Sequence, residues 1–199
     1  MKRLIPLLIA LVLPIAAQAA SILIWGDSMS AAYGMPQNEA WPALLEQKLR
    51  SGGNAYQVVN ASISGETTKR GLARLPTALA QYKPDIVVIE LGIVDVLHEL
   101  PAKTTQDNLA KMIKAAQEAN AKVLLVAAPL PDNFCPTQQK QFQAFFRSAA
   151  AEYKTGYAPL LPEASTHQAA LLQDAIHPNA KAQPLILSSL WPALKSLLK

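Results

Sequence analysis

Cysteine occurs once, at Cys135, so an intramolecular disulfide is impossible and the fold must rest on its apolar core. Charge is also sparse: 16% of residues carry it, and no block of one sign stands out. That pattern offers no footing for a nucleic-acid partner. Neither a Gly-x-Gly-x-x-Gly stretch nor a P-loop occurs, which leaves a nucleotide site unsupported. The Gly-x-Ser-x-Gly elbow is missing too, which argues against the α/β-hydrolase fold. Beyond the N-terminus no apolar run is long and uninterrupted enough to span a bilayer. What is abundant is apolar surface: 51% of 199 residues, enough for one α/β domain with a full core and short for two.

The N-terminus reads separately from the rest. Lys2 and Arg3 precede an apolar run from Leu4 to Ala17, which ends in Ala17-Gln18-Ala19. A positive segment, an apolar segment and an A-x-A site make residues 1–19 a signal peptide, cleaved near Ala19 or Ala20. Pro6, Pro14 and the shortness of the run weigh against an uncleaved anchor. The expected destination is the periplasm or the medium, with no stable membrane insertion after cleavage. Loss of Lys2 and Arg3 leaves 16 basic against 14 acidic side chains. Cys135 lies in "DNFCPTQ", before a helix, and is expected to be a tucked-in, inert thiol; an intermolecular disulfide is the alternative.

Along residues 20–199, one domain of alternating elements is expected. Ser21–Trp25, Tyr56–Ala61, Asp85–Leu91, Lys122–Ala128 and Gly156–Leu160 read as short strands, apolar on both faces as buried parallel strands are. Helices are expected over Trp41–Arg50, Thr67–Gln81 (broken or kinked near Pro76), Thr105–Asn120 and Thr137–Tyr153. Asn179 is expected to cap a last helix to Leu198, with Leu187, Leu190, Trp191, Leu194 and Leu198 inward. This alternation implies βαβ crossovers and a flavodoxin-like three-layer α/β/α fold, its five-stranded parallel sheet in the order 2-1-3-4-5. Ligands in such sheets bind outside the carboxyl ends of the strands, near the switch between the first and third.

Ser28, in "ILIWGDSMSAAYG", comes after the first strand at that edge. Alone it reads either as a turn residue capping the next helix or as a nucleophile. "NASISGETT" brings Gly65 to the same edge, where a glycine at a helix entry presents its N–H to developing negative charge. "QDAIHPN" brings Asp174 and His177, whose i, i+3 spacing on a helical turn lets the acid hold the imidazole's tautomer while the ring faces outward as a base. Ser, Asp and His at one edge make nucleophilic catalysis the sharper reading. His98 and His167 read as surface residues, although His98 stands one helical turn beyond Val94.

The segments "WGDSMSAAYG", "AWPALLEQKL", "VVNASISGETT", "GLARLP", "PDIVVIELG", "PLPDNF", "PLLP" and "DAIHPNAKAQP" resemble the SGNH (GDSL) hydrolases over nearly the whole of residues 20–199. The likeness is close to their secreted bacterial multifunctional branch, which includes acyl-CoA thioesterase I, also called lysophospholipase L1, and periplasmic arylesterases. The resemblance implies Ser28 as nucleophile, His177 as base, Asp174 as its orienting acid, and the N–H groups of Ser28 and Gly65 in the oxyanion hole. It implies no metal and no cofactor, and a small acyl ester, thioester or lysophospholipid as substrate. One block departs: the family writes Gly-x-Asn-Asp, its asparagine supplying a third oxyanion donor, where this chain has Gly92-Ile93-Val94-Asp95. Val94 has no group to donate. A smaller departure is Ala175, where the family usually has glycine. The expected activity is serine ester or thioester hydrolysis through an acyl-enzyme in a weakened hole. The alternative is an impaired or inactive acyl- or lipid-binding protein of the same fold.

Overall fold

The computed structural model describes residues 20–165 and 168–198, so residues 1–19, expected to be a signal peptide, and His167 lie outside the described residues. Five strands form one sheet: β1 (Ser21–Gly26), β2 (Gln57–Asn60), β3 (Ile86–Glu90), β4 (Lys122–Ala127) and β5 (Gly156–Pro159). Their order is β2-β1-β3-β4-β5 and every pairing is parallel, as expected. The helices are α1 (Trp41–Ser51), α2 (Thr68–Tyr82), α3 (Ile93–Leu97), α4 (Ala102–Glu118), α5 (Pro136–Tyr153) and α6 (Gln183–Leu197).

Every residue of β1 and β3 is buried, because helices cover both faces of the sheet. Ile22, Ile24, Val88, Leu124 and Val126 point to one face, where they meet Leu45 and Leu49 of α1 and Ile186, Leu190 and Leu194 of α6. Leu23, Trp25, Val87, Ile89 and Leu125 point to the other, against Leu75 and Leu79 of α2, Met112 and Ile113 of α4 and Phe146 of α5. The period of two along each strand produces this division. Truncating a fully buried leucine such as Leu45 costs about 2–5 kcal/mol. The α1 and α6 layer is also pinned at its entry, where Gln183 Oε1 accepts the Trp41 N–H at 2.9 Å.

Three expectations change. The last helix starts at Gln183 and not after Asn179, because the Asn179 side chain is engaged in its own turn. Its amide donates to the carbonyls of Ala170 and Leu172, and its Oδ1 accepts the Lys181 N–H. The inner stripe of α6 is accordingly Ile186, Leu190 and Leu194, with Leu187 and Trp191 at its sides. Pro76 does not break α2, which runs continuously from Thr68 to Tyr82. Cys135 is exposed, contrary to the tucked-in expectation. It sits at the N-cap of α5, where its backbone N–H donates to Gln138 Oε1 at 3.0 Å.

Candidate active site

Gly26, the last residue of β1, pairs with Glu90, the last of β3. A Cβ at Gly26 would come within 2.8 Å of Glu90 Oε2 and 2.9 Å of Ser30 Oγ, so only glycine fits there. Beyond it the chain turns sharply. The Met29 N–H donates to Asp27 Oδ1 at 3.0 Å, and the N–H groups of Ser30 and Ala31 donate to the Asp27 carbonyl. Beneath the turn Ser30 Oγ donates to Glu90 Oε2 at 2.8 Å and Trp41 Nε1 donates to Ser30 Oγ at 3.3 Å. From β2, Asn60 Nδ2 donates to the Ser30 carbonyl at 2.8 Å. Ser28 therefore stands on a turn secured from three directions.

Asp27 and Glu90 are essentially inaccessible to solvent. Burial pushes the Asp27 carboxyl up to about 7; the Met29 N–H opposes this, while the charges of Asp95 and Glu66 add to it. Burial and the neighbouring Asp27 likewise raise Glu90 well above the usual carboxylate range, against the hydrogen bonds from Ser30 and the Asp27 backbone. The support under Ser28 is thus a pair of acids that hold their protons more strongly than free carboxyls do.

The partners arrive from the segment before α6. His177 Nε2 lies 3.0 Å from Ser28 Oγ, and His177 Nδ1 lies 2.8 Å from Asp174 Oδ2. The i, i+3 spacing is realised in a carboxylate-capped turn instead of a helix: Asp174 Oδ1 accepts the N–H groups of Ile176 and His177, both at 2.7 Å. Burial tends to raise the Asp174 carboxyl, but the backbone and ring of His177 and the Ile176 N–H outweigh it and hold the group at about 2. A carboxylate ionised at all working pH values fixes a proton on Nδ1 and leaves Nε2 free to accept from Ser28.

Gly65 adopts φ +73°, and nothing stands within 4 Å of where a Cβ would be. Its loop is tied to the end of β1 by the Ile63 N–H on the Gly26 carbonyl at 3.0 Å. Buried Glu66 pairs with Arg74, whose Nη2 also donates to the Ala61 carbonyl at 2.8 Å. Among the described residues neither the Ser28 N–H nor the Gly65 N–H has an acceptor. Val94 lies in α3, only 6% exposed, in the apolar cluster that contains Met29, Ile93 and Leu130. His98 closes α3 with its N–H on the Val94 carbonyl at 3.0 Å, and its side chain is exposed.

Sequence reasoning misses two features. The short helix α3 is below the length at which periodicity speaks. The network around Asp95 is the other: buried Asp95 accepts the N–H and hydroxyl of Thr68 and the hydroxyl of Thr105, and Asn108 Nδ2 donates to Thr68 Oγ1. Asp95 thereby ties the helix carrying Val94 to the first residue of α2, three residues after Gly65. Beside α3 opens a cavity of about 700 Å³, whose lining includes Leu97, Leu100, Leu130, Phe134, Phe142 and Phe145.

A serine hydroxyl, an imidazole and a carboxylate joined end to end at the carboxyl edge of a parallel sheet define a serine ester hydrolase of the three-layer α/β class. The chain belongs to the GDSL-like lipase/acylhydrolase family, whose model matches residues 24–184. It is 44% identical to the esterase TesA of Pseudomonas aeruginosa, over 92% of this chain and 91% of that protein. It is 39% identical to the thioesterase 1/protease 1/lysophospholipase L1 of Escherichia coli K12, over 92% of this chain and 86% of that one. A solved psychrotrophic esterase from Pseudoalteromonas, inhibited by monoethylphosphonate, superposes with a TM-score of 0.81 at 38% identity, covering 88% of this chain and 97% of its own.

Proposed function

We propose that the chain is an exported hydrolase of small acyl esters and thioesters that works through an acyl-enzyme on Ser28. The observation that carries this is the unbroken hydrogen-bonded series Ser28, His177, Asp174. Ser28 Oγ attacks the acyl carbonyl while its proton passes to His177 Nε2. The tetrahedral oxyanion takes hydrogen bonds from the N–H groups of Ser28 and Gly65. Collapse expels the alcohol or thiol, which leaves with the proton from His177. Water then attacks the acyl-enzyme with His177 as base, releasing the acid and restoring Ser28. Asp174 keeps the imidazole in the required tautomer and offsets its charge.

Val94 leaves the hole with two donors where the family has three, so turnover is slow. Loss of one such donor in an unrelated hydrolase lowers turnover by about 10²–10³. The names borne by the relatives point to aryl esters, acyl-thioesters and lysophospholipids. The N-terminal 19 residues fit export to the periplasm or medium. The second reading, a non-catalytic acyl- or lipid-binding protein, is favoured by Val94 alone.

One experiment decides between them. Purified protein lacking residues 1–19 is assayed on a p-nitrophenyl ester beside Ser28→Ala, and a fluorophosphonate-labelled sample is mapped by peptide mass. Hydrolysis abolished in Ser28→Ala, with label on Ser28, supports the enzyme. Equal rates in both proteins, or label elsewhere, refute it. N-terminal sequencing of protein recovered from the periplasm should begin near Ala20 or Ser21.

A further inference from the structure

Among the described residues Tyr33 is the most exposed of the large apolar or aromatic side chains, at 48%, yet its ring is not free. Its centroid lies 4.3 Å from that of His177, with the planes tilted by 33°. An exposed aromatic on a flexible loop would have little reason to hold such a place. Here the backbone fixes it. Ala32 before it and Gly34 after it both adopt left-handed conformations, at φ 59° and 71°. An alanine pays a steric penalty there, so the turn is held by its surroundings.

Those surroundings are specific. The Ala31 carbonyl accepts from Gln37 Nε2 at 3.2 Å, and the Ala32 carbonyl accepts the Met35 N–H at 3.2 Å. The Tyr33 carbonyl accepts from Gln173 Nε2 at 2.9 Å. At Gly34 a Cβ would fall 2.7 Å from both amide atoms of Gln173, so the two turns are pressed together. Gln173 belongs to the turn that carries Asp174 and His177, which its own N–H closes on the His177 carbonyl at 2.9 Å. The tether therefore joins the turn that presents Tyr33 to the turn that presents the imidazole.

We propose that Tyr33 is a positioning residue for the reaction: its ring covers one face of the His177 imidazole and holds it in the plane aimed at Ser28. Among the described residues, Ser28 and Asp174 are hydrogen-bonded to the His177 ring and Tyr33 stacks beside it. Asp174 supplies the in-plane restraint, but its side chain is 46% exposed and water competes for it. Tyr33 supplies the restraint on the face. A π face beside a forming imidazolium is attractive, and that attraction is absent while the ring is neutral. Its benefit thus falls on the transition state and on kcat.

The proposal rests on the catalytic reading of His177, and its test has an arm that does not. In a Ser28→Ala background, the carbon-bound ring protons of His177, assigned by their loss in His177→Asn, are followed by NMR. They should be shifted upfield by the aromatic ring in the Tyr33 and Tyr33→Phe proteins and not in Tyr33→Leu. In the Ser28 background, Tyr33→Phe should keep kcat on an aryl ester within about twofold. Tyr33→Leu and Tyr33→Ala should lose about three- to tenfold in kcat with KM little changed. Leu matching Phe in kcat would overturn the proposal, and so would an effect confined to KM or ring protons that ignore residue 33. Absence of Ser28-dependent turnover with the ring shifts intact would instead count against the catalytic reading.

Discussion

Two carboxylates bracket the reacting groups and differ in nearly every respect. Asp27, beside Ser28, is fully buried, has one oxygen without a partner, and is pushed up to about 7. Asp174, beside His177, is nearly half exposed, has both oxygens engaged, and is held at about 2. The Ser28 side grows from the core. The His177 side is a surface turn, held by short local hydrogen bonds and by its tether to Tyr33. Damage to the two sides should therefore differ in kind: stability and pH response on one, turnover with an intact fold on the other.

The largest effect should come from the surface side. Asn at position 174 can still accept the N–H groups of Ile176 and His177, so the turn survives. Its NH₂ faces Nδ1, however, and drives the imidazole proton to Nε2, which then has no lone pair for Ser28. Asp174→Asn should lower kcat by about 10³–10⁴, the scale seen for the same change in an unrelated serine protease. A thermal melt close to that of the parent checks that the loss is chemical.

Next in size is a repair. Val94→Asn offers a third donor to the oxyanion, and the gain should appear in kcat, not KM. About tenfold is expected, below the full 10²–10³ because the apolar cluster that contains Val94 accommodates an apolar side chain there. Some loss in the melt should accompany it, since the site is 6% exposed and a buried amide left unpaired is costly. A folded variant no faster than its parent would show that the hole is completed in another way.

The smallest effect separates the two acids by pH. Folded Asp27 keeps its proton up to about 7, whereas the unfolded chain releases it near 3.8. The folded state binds more protons between those values, so stability falls as pH rises through that window. Glu90 acts in the same sense. The melting temperature should drop by about 5 °C or more between pH 5 and 8, and less in Asp27→Asn. Asp174 has the opposite sign: its contribution is present above about 3.8 and is lost as pH falls through about 2. Its exposure makes that contribution small.

The same contrast explains what the sequence discloses. β1, β3 and β4 are legible because burial on both faces leaves unbroken apolar runs, the partly exposed edge strands β2 and β5 less so. Ser28 is legible beside a strand end, and Asp174 and His177 in a turn signal. The contacts between turns are not legible. Nothing near Tyr33 in the chain announces Gln173, 140 positions away, and nothing near Asp95 announces Thr68. The start of α6 is misplaced for a related reason. Asn179 carries a cap signal, but its amide is taken by Ala170 and Leu172 on a segment that local pattern does not bring to mind.

Cys135 offers something of another order. It is the chain's only sulfhydryl, it is exposed, and it stands between Phe134 and Gln138, both of which line the cavity beside α3. The wild-type polypeptide is consequently a single-label reagent. A dye attached there labels the chain at one site next to that cavity, with Ser28, His177 and Asp174 left as they are.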